Sequence, residues 1–185
     1  MSFNYITASL LNQWLYYLNN EHSELESFLA TLNRDKFEMS EAMQAGIDFE
    51  NKLQADCVAG VISEDEEYQR LLNNCYNGAW QIDVQGEYNG IKIVGKADII
   101  HPNKIIDVKF TNRYTTGKYF NTSQHFIYPY CTGIHDFEYN VWSGGKFYIE
   151  PYKYQTGTCE KLIDDFINWL DIAGYKKIWI DKWVK

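Results

Sequence analysis

Two aspartates and a lysine lie on consecutive β-type segments that are separated by Pro102-Asn103. If Pro102 and Asn103 form a two-residue turn, counting back along both strands places Asp98 directly opposite Asp107. Directly opposed residues have Cβ atoms about 4.5–5.5 Å apart, where two like charges are destabilising, so this pair needs a positive partner. Lys109 follows Asp107 by two residues and therefore points to the same face. Two carboxylates and a lysine on one face are the minimal set for metal-assisted hydrolysis of a phosphodiester.

Asp98 and Asp107 are candidate ligands for one divalent cation, because Mg²⁺ and Mn²⁺ prefer carboxylate and water oxygens. The alternative is a pair of exposed strand acids, but acids are depleted in strands and both residues lie in apolar runs. Lys109 could orient the attacking water and stabilise charge on the phosphoryl oxygens, or could be a surface lysine paired with Asp107. Lys96 shares that face, and it could contact a phosphate or be merely solvated.

Three further candidates lie on predicted helices. Glu50 belongs to a helix expected over residues 40–59 and could be a third ligand, directly or through water, or a solvated helix acid. Gln124 and Tyr128 are four residues apart and share one helix face, so they could hydrogen-bond the lysine, a phosphate or a base. The alternative is an ordinary helix start with a core tyrosine. Pro129 predicts that this helix is kinked or short.

Hydrophobic periodicity and turn residues predict the elements that position these side chains. Four helices are expected before residue 78, and the fourth should begin with a capping box of Ser63 and Glu66. A type I′ turn at Asn89-Gly90 joins the first two strands of a meander. The later elements are a polar loop, a helix, a hairpin and two C-terminal helical segments. The expected strands are Ala79–Tyr88, Ile91–Ile100, Lys104–Phe110, Phe137–Trp142 and Lys146–Tyr154.

This order predicts an α/β (α+β) fold with a central mixed sheet flanked by helices. We expect one domain over residues 1–185. Residues 1–77 should be mainly helical, residues 78–157 should form the sheet core with the helix that carries Gln124, and residues 158–185 should form the C-terminal helices.

Composition favours a globular protein, with 45% hydrophobic residues among 185. The N-terminus does not have the pattern of a signal peptide, and no apolar run is long enough to span a membrane, so we expect a cytoplasmic location and no membrane partner. The net charge of −8 argues against a simple basic nucleic-acid binder. The charge is uneven, however: residues 1–90 carry 4 basic and 15 acidic side chains, whereas residues 91–185 carry 13 and 10.

Four motifs occur in a fixed order over about residues 40–130. They are Gly46 with Glu50, Gly95-Lys96-Ala97-Asp98, Asp107-Val108-Lys109, and Gln124 with Tyr128. This set resembles the PD-(D/E)XK nuclease superfamily, and more closely its RecB-like branch, which has a glycine-containing helix with His or Glu, a GxxD strand, a DxK strand and a QxxxY helix. The four cysteines are widely spaced, and no grouping for an iron–sulfur cluster is present, which favours the compact, cluster-free phage type.

The resemblance implies a three-layer, restriction-endonuclease-like core and divalent-metal hydrolysis of DNA that leaves 5′-phosphate ends. Mg²⁺ or Mn²⁺ would be held by Glu50, Asp98, Asp107 and the Val108 carbonyl. Lys109 would position the nucleophilic water, with Gln124 and Tyr128 supporting the site and the DNA end. Several members have histidine in the first motif, where this chain has Glu50.

Three functions remain open at this point. The first is a Mg²⁺-dependent DNA exonuclease of phage or mobile-element type, acting in recombination or DNA processing in the cytoplasm of a bacterial host. The second is a structure- or site-specific endonuclease on the same fold. The third is a non-catalytic DNA- or protein-binding module. DNA is the expected partner, and a recombination or replication protein is a further candidate.

Overall fold

A computed structural model describes residues 3–185 of the chain, so the predicted start of the helical portion at residue 1 lies outside it. The described residues form six strands and seven helices. The strands are β1 (Tyr5–Thr7), β2 (Ala79–Tyr88), β3 (Ile91–Ile100), β4 (Lys104–Phe110), β5 (Asp136–Ser143) and β6 (Lys146–Lys153). The helices are α1 (Ala8–Asn19), α2 (Leu25–Asn33), α3 (Glu41–Ala59), α4 (Glu66–Cys75), α5 (Gln124–Thr132), α6 (Thr158–Ile172) and α7 (Lys176–Lys182).

The six strands form one mixed sheet. Strands β2, β3 and β4 make the expected antiparallel meander, β4 and β5 are parallel, and β5 and β6 form a hairpin. Asn89 and Gly90 have φ values of 50° and 75°, which a type I′ turn requires at both central positions. The meander and the hairpin were therefore predictable from alternation and turn residues, whereas the parallel pairing of β4 with β5 was not predicted.

Helices cover both faces of the sheet. One hydrophobic cluster joins one face to α1, α2, α5, α6 and α7, with Trp14, Ile127 and Phe166 among its buried members. A second, smaller cluster joins the other face to α3 and α4 through Leu53 and Leu71. This three-layer arrangement confirms the predicted α/β class. No helix among residues 3–185 is both long and apolar enough to cross a membrane.

Three local features differ from the expectation or refine it. The short strand β1, which pairs in parallel with β3, was not predicted within the helical N-terminal portion. The Ser63–Glu66 capping box is wrong, because α4 begins at Glu66 and the carboxylate of Asp65, directly before it, accepts from the amides of Glu67 and Tyr68. Helix α5 is short, with nine residues, but it continues through Pro129 and ends before Gly133.

Candidate active site

The candidate residues meet at a gap along one edge of β3. Because β2 occupies one edge of β3, β1 and β4 must share the other: β1 pairs with residues 92–94 and β4 with residues 99–100. Among the described residues, positions 95–98 consequently have no backbone partner on that edge. These four positions are the Gly-Lys-Ala-Asp motif.

The Asp98 side chain accepts a hydrogen bond that a backbone carbonyl would accept if the ladder between β3 and β4 continued. The register pairs Ile99 with Ile106, and the next pair in sequence would be Asp98 with Asp107, as predicted. Instead of continuing the ladder, the Asp98 carboxylate accepts a hydrogen bond from the Val108 amide at 2.8 Å. The side chain thus spans the opening between the two strands and fixes its own position relative to β4.

Asp107 and Lys109 form a buried ion pair beside this opening. Their side chains are 3% and 25% exposed, and Lys109 Nζ contacts Asp107 Oδ2. The lysine is therefore the positively charged partner of this buried carboxylate oxygen. The lysine Nζ also lies 5.6 Å from the centre of the Tyr139 ring, within the range of a cation–π contact. The predicted positive partner of the two aspartates is therefore in place.

Helix α3 brings Glu50 to the same centre. Leu53 on this helix is fully buried, and the neighbouring Phe49 ring packs 5.0 Å from Phe110, the residue after Lys109. Glu50 itself is half-buried and accepts a hydrogen bond from the Gln81 side chain of β2. A residue from a distant helix thus joins the two strand aspartates.

Burial raises the pKa values of all three carboxylates, Glu50, Asp98 and Asp107. Burial, and then the charge of Asp107, raise the pKa of Asp98 well above its usual value, and the same two causes raise the pKa of Glu50. Burial raises the pKa of Asp107, against the opposing charge of Lys109. Burial alone would lower the pKa of Lys109, but the negative charges of Asp107 and Asp98 outweigh it and raise that pKa, so the lysine keeps its proton.

The absence of a side chain at Gly95 leaves space for the Tyr128 ring. This contact gives a structural reason for the glycine of the Gly-Lys-Ala-Asp motif. A Cβ atom at position 95 would lie 2.7 Å from Tyr128 Cε1, closer than real Cβ contacts allow. The Tyr128 side chain is only 5% exposed, and burial followed by the charges of Asp107 and Asp98 raises its pKa well above the usual value. The tyrosine of the fourth motif therefore packs on the glycine of the second.

Gln124, the first residue of α5, makes its hydrogen bonds to residues other than the three carboxylates. Its Oε1 accepts from Asn12 Nδ2 at 2.9 Å and from the Tyr139 hydroxyl at 3.5 Å. Because the Tyr139 ring contacts the Lys109 ammonium, Gln124 can support the lysine through Tyr139. The predicted contacts of Gln124 with the lysine, a phosphate or a base stay predictions.

Lys96 is exposed and lines an open groove of about 660 Å³ that reaches Tyr128. The start of α1 at Thr7–Ser9 and the C-terminal Lys185 line the same groove. The charge of Lys96 also lowers the pKa of Glu50 in opposition to burial, so it acts on the carboxylate cluster. The groove thus reaches Gly95 and Lys96 of the gap in β3, whereas its lining does not include Asp98, Asp107 or Lys109.

The donor set fits a hard divalent cation. All three acids offer oxygen ligands, and burial raises the pKa of each. The side chains do not close into a coordination sphere: residues 3–185 contain no group of three or more His, Cys, Asp or Glu arranged to hold a metal. The predicted ligand roles, including that of the Val108 carbonyl, stay predictions.

Sequence reasoning missed several residues that support the site. Gln81 has a left-handed conformation in β2 that no residue pattern indicates. Tyr139 could have been found from strand register, because it pairs with Asp107 in the parallel ladder. Glu150 is a buried acid that anchors the loop after β4: its carboxylate accepts from the Tyr114 hydroxyl and the Tyr119 amide.

No protein-family model matches the chain, and no curated protein matches it in sequence. Solved structures do align with it, among them the following three. The crystal structure of SSO0001 gives a TM-score of 0.59 at 16% identity, over 90% of this chain and 76% of that protein. The alkaline exonuclease LHK-Exo from Laribacter hongkongensis gives 0.55 at 13% identity, over 91% and 88%. A protein from Eubacterium rectale that is named as an exonuclease gives 0.57 at 12% identity, over 97% and 82%. At these identities the likeness establishes the fold, and the chain has the fold of these exonuclease structures.

Proposed function

We propose that the chain is a divalent-metal-dependent DNA nuclease of the RecB-like, phage type, and that it acts as an exonuclease in recombination or DNA processing. The observation that carries the proposal is the placement of Asp98 beside the Asp107–Lys109 ion pair at the gap along β3. The order of the four motifs and the fold shared with two proteins named as exonucleases support it.

In this proposal Asp98, Asp107 and Glu50, together with the Val108 carbonyl, would hold Mg²⁺ or Mn²⁺. When bound, the cation supplies Lewis-acid polarisation of the phosphate and lowers the pKa of a coordinated water. Asp98 is restrained for this role by the Val108 amide, and Glu50 by the Gln81 amide.

Lys109 would be the electrostatic partner of the reacting phosphate. Its raised pKa keeps the ammonium charged, so it can donate a hydrogen bond to the attacking water or to a phosphoryl oxygen but cannot act as a base at neutral pH. The Tyr139 ring restrains the ammonium from one side. Tyr128 and the exposed Lys96 border the groove through which a DNA strand would reach these groups.

The test is cleavage of linear and covalently closed circular DNA with Mg²⁺, Mn²⁺ or EDTA. We expect loss of linear DNA only, with either metal, and none with EDTA. Lys109→Ala should abolish this loss, because it removes the charge beside Asp107. Lys104→Ala is a matched control: Lys104 lies on the same strand in an ion pair with Glu138, and its side chain is 24% exposed.

Two other results would change the assignment. Cleavage of closed circles would identify an endonuclease on this fold. No cleavage of either substrate, together with no effect of Mg²⁺ or Mn²⁺ on the melting temperature, would contradict nuclease function and leave a DNA- or protein-binding module.

A further inference from the structure

Gln81 has a backbone conformation that is unusual for the middle of a strand. Its φ of 55° is in the left-handed region, which residues other than glycine rarely adopt. The ladder between β2 and β3 is regular on both sides, with Trp80 paired to Ile99 and Ile82 to Ala97. The one missing pair between them is Gln81 with Asp98. The distortion is therefore confined to the residue opposite a candidate metal ligand.

The side chain of Gln81 contacts a second candidate ligand. Its Nε2 donates a hydrogen bond to Oε1 of Glu50, a residue that is 31 positions away on α3. Among residues 3–185 this amide is the one hydrogen-bond donor to the Glu50 carboxylate. An amide donor stabilises an ionised carboxylate without adding a charge, and here it contacts Oε1 of Glu50.

The two observations are connected by strand geometry. In a regular strand successive side chains alternate between the two faces of the sheet. A left-handed residue departs from that geometry, and here the residue that departs is the one whose amide reaches α3. Backbone strain that persists beside a candidate site is a reason to look for a role.

We propose that Gln81 is a positioning residue that holds Oε1 of Glu50 and so fixes the orientation of a carboxylate that, together with Asp98 and Asp107, would hold a divalent cation. The inference rests on the proposed nuclease function and adds β2 to the elements that form the site. Carboxylates that bind metals are commonly held by such outer hydrogen bonds, and loss of one typically weakens metal affinity about 10- to 100-fold.

The test measures Mn²⁺ binding by isothermal titration calorimetry and the melting temperature of the metal-free protein. Gln81→Met keeps the length of the side chain but removes the donor. Gln81→Gly removes the donor and also suits the left-handed backbone. We expect both variants to bind Mn²⁺ about 10- to 100-fold more weakly than the wild type. Asn89→Gly is the matched control, because Asn89 has a φ of 50° in the turn that follows the far end of the same strand.

An exchange variant tests whether Gln81 acts on metal binding through the Glu50 carboxylate. Glu50→Gln with Gln81→Glu keeps an amide–carboxylate hydrogen bond between the two elements but moves the charge to β2. If the bond only ties α3 to β2 and Glu50 is not a ligand, this variant should bind Mn²⁺ like the wild type, and that result would overturn the proposal. We expect it to melt near the wild-type temperature and to bind Mn²⁺ as weakly as Glu50→Gln alone.

The remaining outcomes distinguish this inference from the proposed function. Tight Mn²⁺ binding by the wild type and equally tight binding by Gln81→Met would refute the positioning role and leave the nuclease proposal standing. No Mn²⁺ binding and no DNA cleavage by the wild type would refute both. Weakened Mn²⁺ binding in Gln81→Met and Gln81→Gly, with unchanged binding in Asn89→Gly, would support the role.

Discussion

Replacing Gly95 with alanine should force apart two of the motifs that form the site. The new Cβ would lie 2.7 Å from Cε1 and 3.3 Å from Cδ1 of Tyr128, and 3.6 Å from Cγ2 of Val84. Carbon atoms pack best at about 3.5–4.0 Å, so the tyrosine ring would have to move by about 1 Å. The ring is 5% exposed and lies 6.3 Å from the Phe137 ring, so little free space is available.

Overpacking of this kind typically costs about 1–3 kcal/mol of folding free energy. For a chain of this size, each kcal/mol should lower the melting temperature by roughly 2–4 °C. Gly46→Ala is the matched control, because a Cβ at position 46 meets nothing within 4 Å and alanine is the better helix former. The control should therefore raise stability, by up to about 1 kcal/mol.

A double-mutant cycle with Tyr128→Leu identifies the cause. If the clash with the ring destabilises Gly95→Ala, the same substitution should cost less when residue 128 is leucine, with a coupling free energy of about 0.5 kcal/mol or more. Chemical denaturation of the four proteins without metal gives each value. An equal cost of Gly95→Ala in both backgrounds, or no cost at all, would refute the close approach as the reason for glycine.

Other substitutions test the electrostatics, the loop and a helix cap. Burial and the charge of Asp107 raise the pKa of Asp98 above 3.8, so the folded metal-free protein binds this proton more tightly than the unfolded chain. Its free energy of unfolding should fall as pH rises from 3.8 through the raised pKa, and Asp98→Asn should flatten that fall in urea melts. Glu150→Gln removes a charged acceptor, which should speed hydrogen exchange of the Tyr119 amide without changing Mn²⁺ affinity. Asp65→Ala should lower stability by about 0.5–2 kcal/mol in urea melts, and Ser63→Ala by less, because Asp65 is the N-cap.

The meander and the two strand motifs were predictable because short-range rules determine them. Period-2 alternation and glycine-containing turns set the meander, and the turn before Lys104 set the register that brings Asp98 toward Asp107. Lys109 followed from strand periodicity. Each of these inferences used residues that are close in sequence or related by a single turn.

The remaining features depend on contacts between distant segments. Strand β1 has three residues, too few for a periodic pattern, and its pairing with β3 joins residues about 87 positions apart. The left-handed Gln81 has no sequence signal, because glutamine is not a residue that favours positive φ. The need for glycine at position 95 becomes visible only when the Tyr128 ring is placed against it.

The gap in β3 gives a physical reason why the site lies where it does. Fully paired strands leave no backbone groups or side-chain space for a substrate, whereas an open edge has unpaired groups that something else must satisfy. Here β1 ends at Thr7, where α1 begins, and β4 joins only at Ile99, so the edge stays open over four residues. The Val108 amide donates to the Asp98 side chain instead of to a backbone carbonyl of β3, and this fixes a carboxylate inside the opening. The position of the carboxylate therefore has one cause, which is the replacement of a ladder hydrogen bond by a side-chain hydrogen bond.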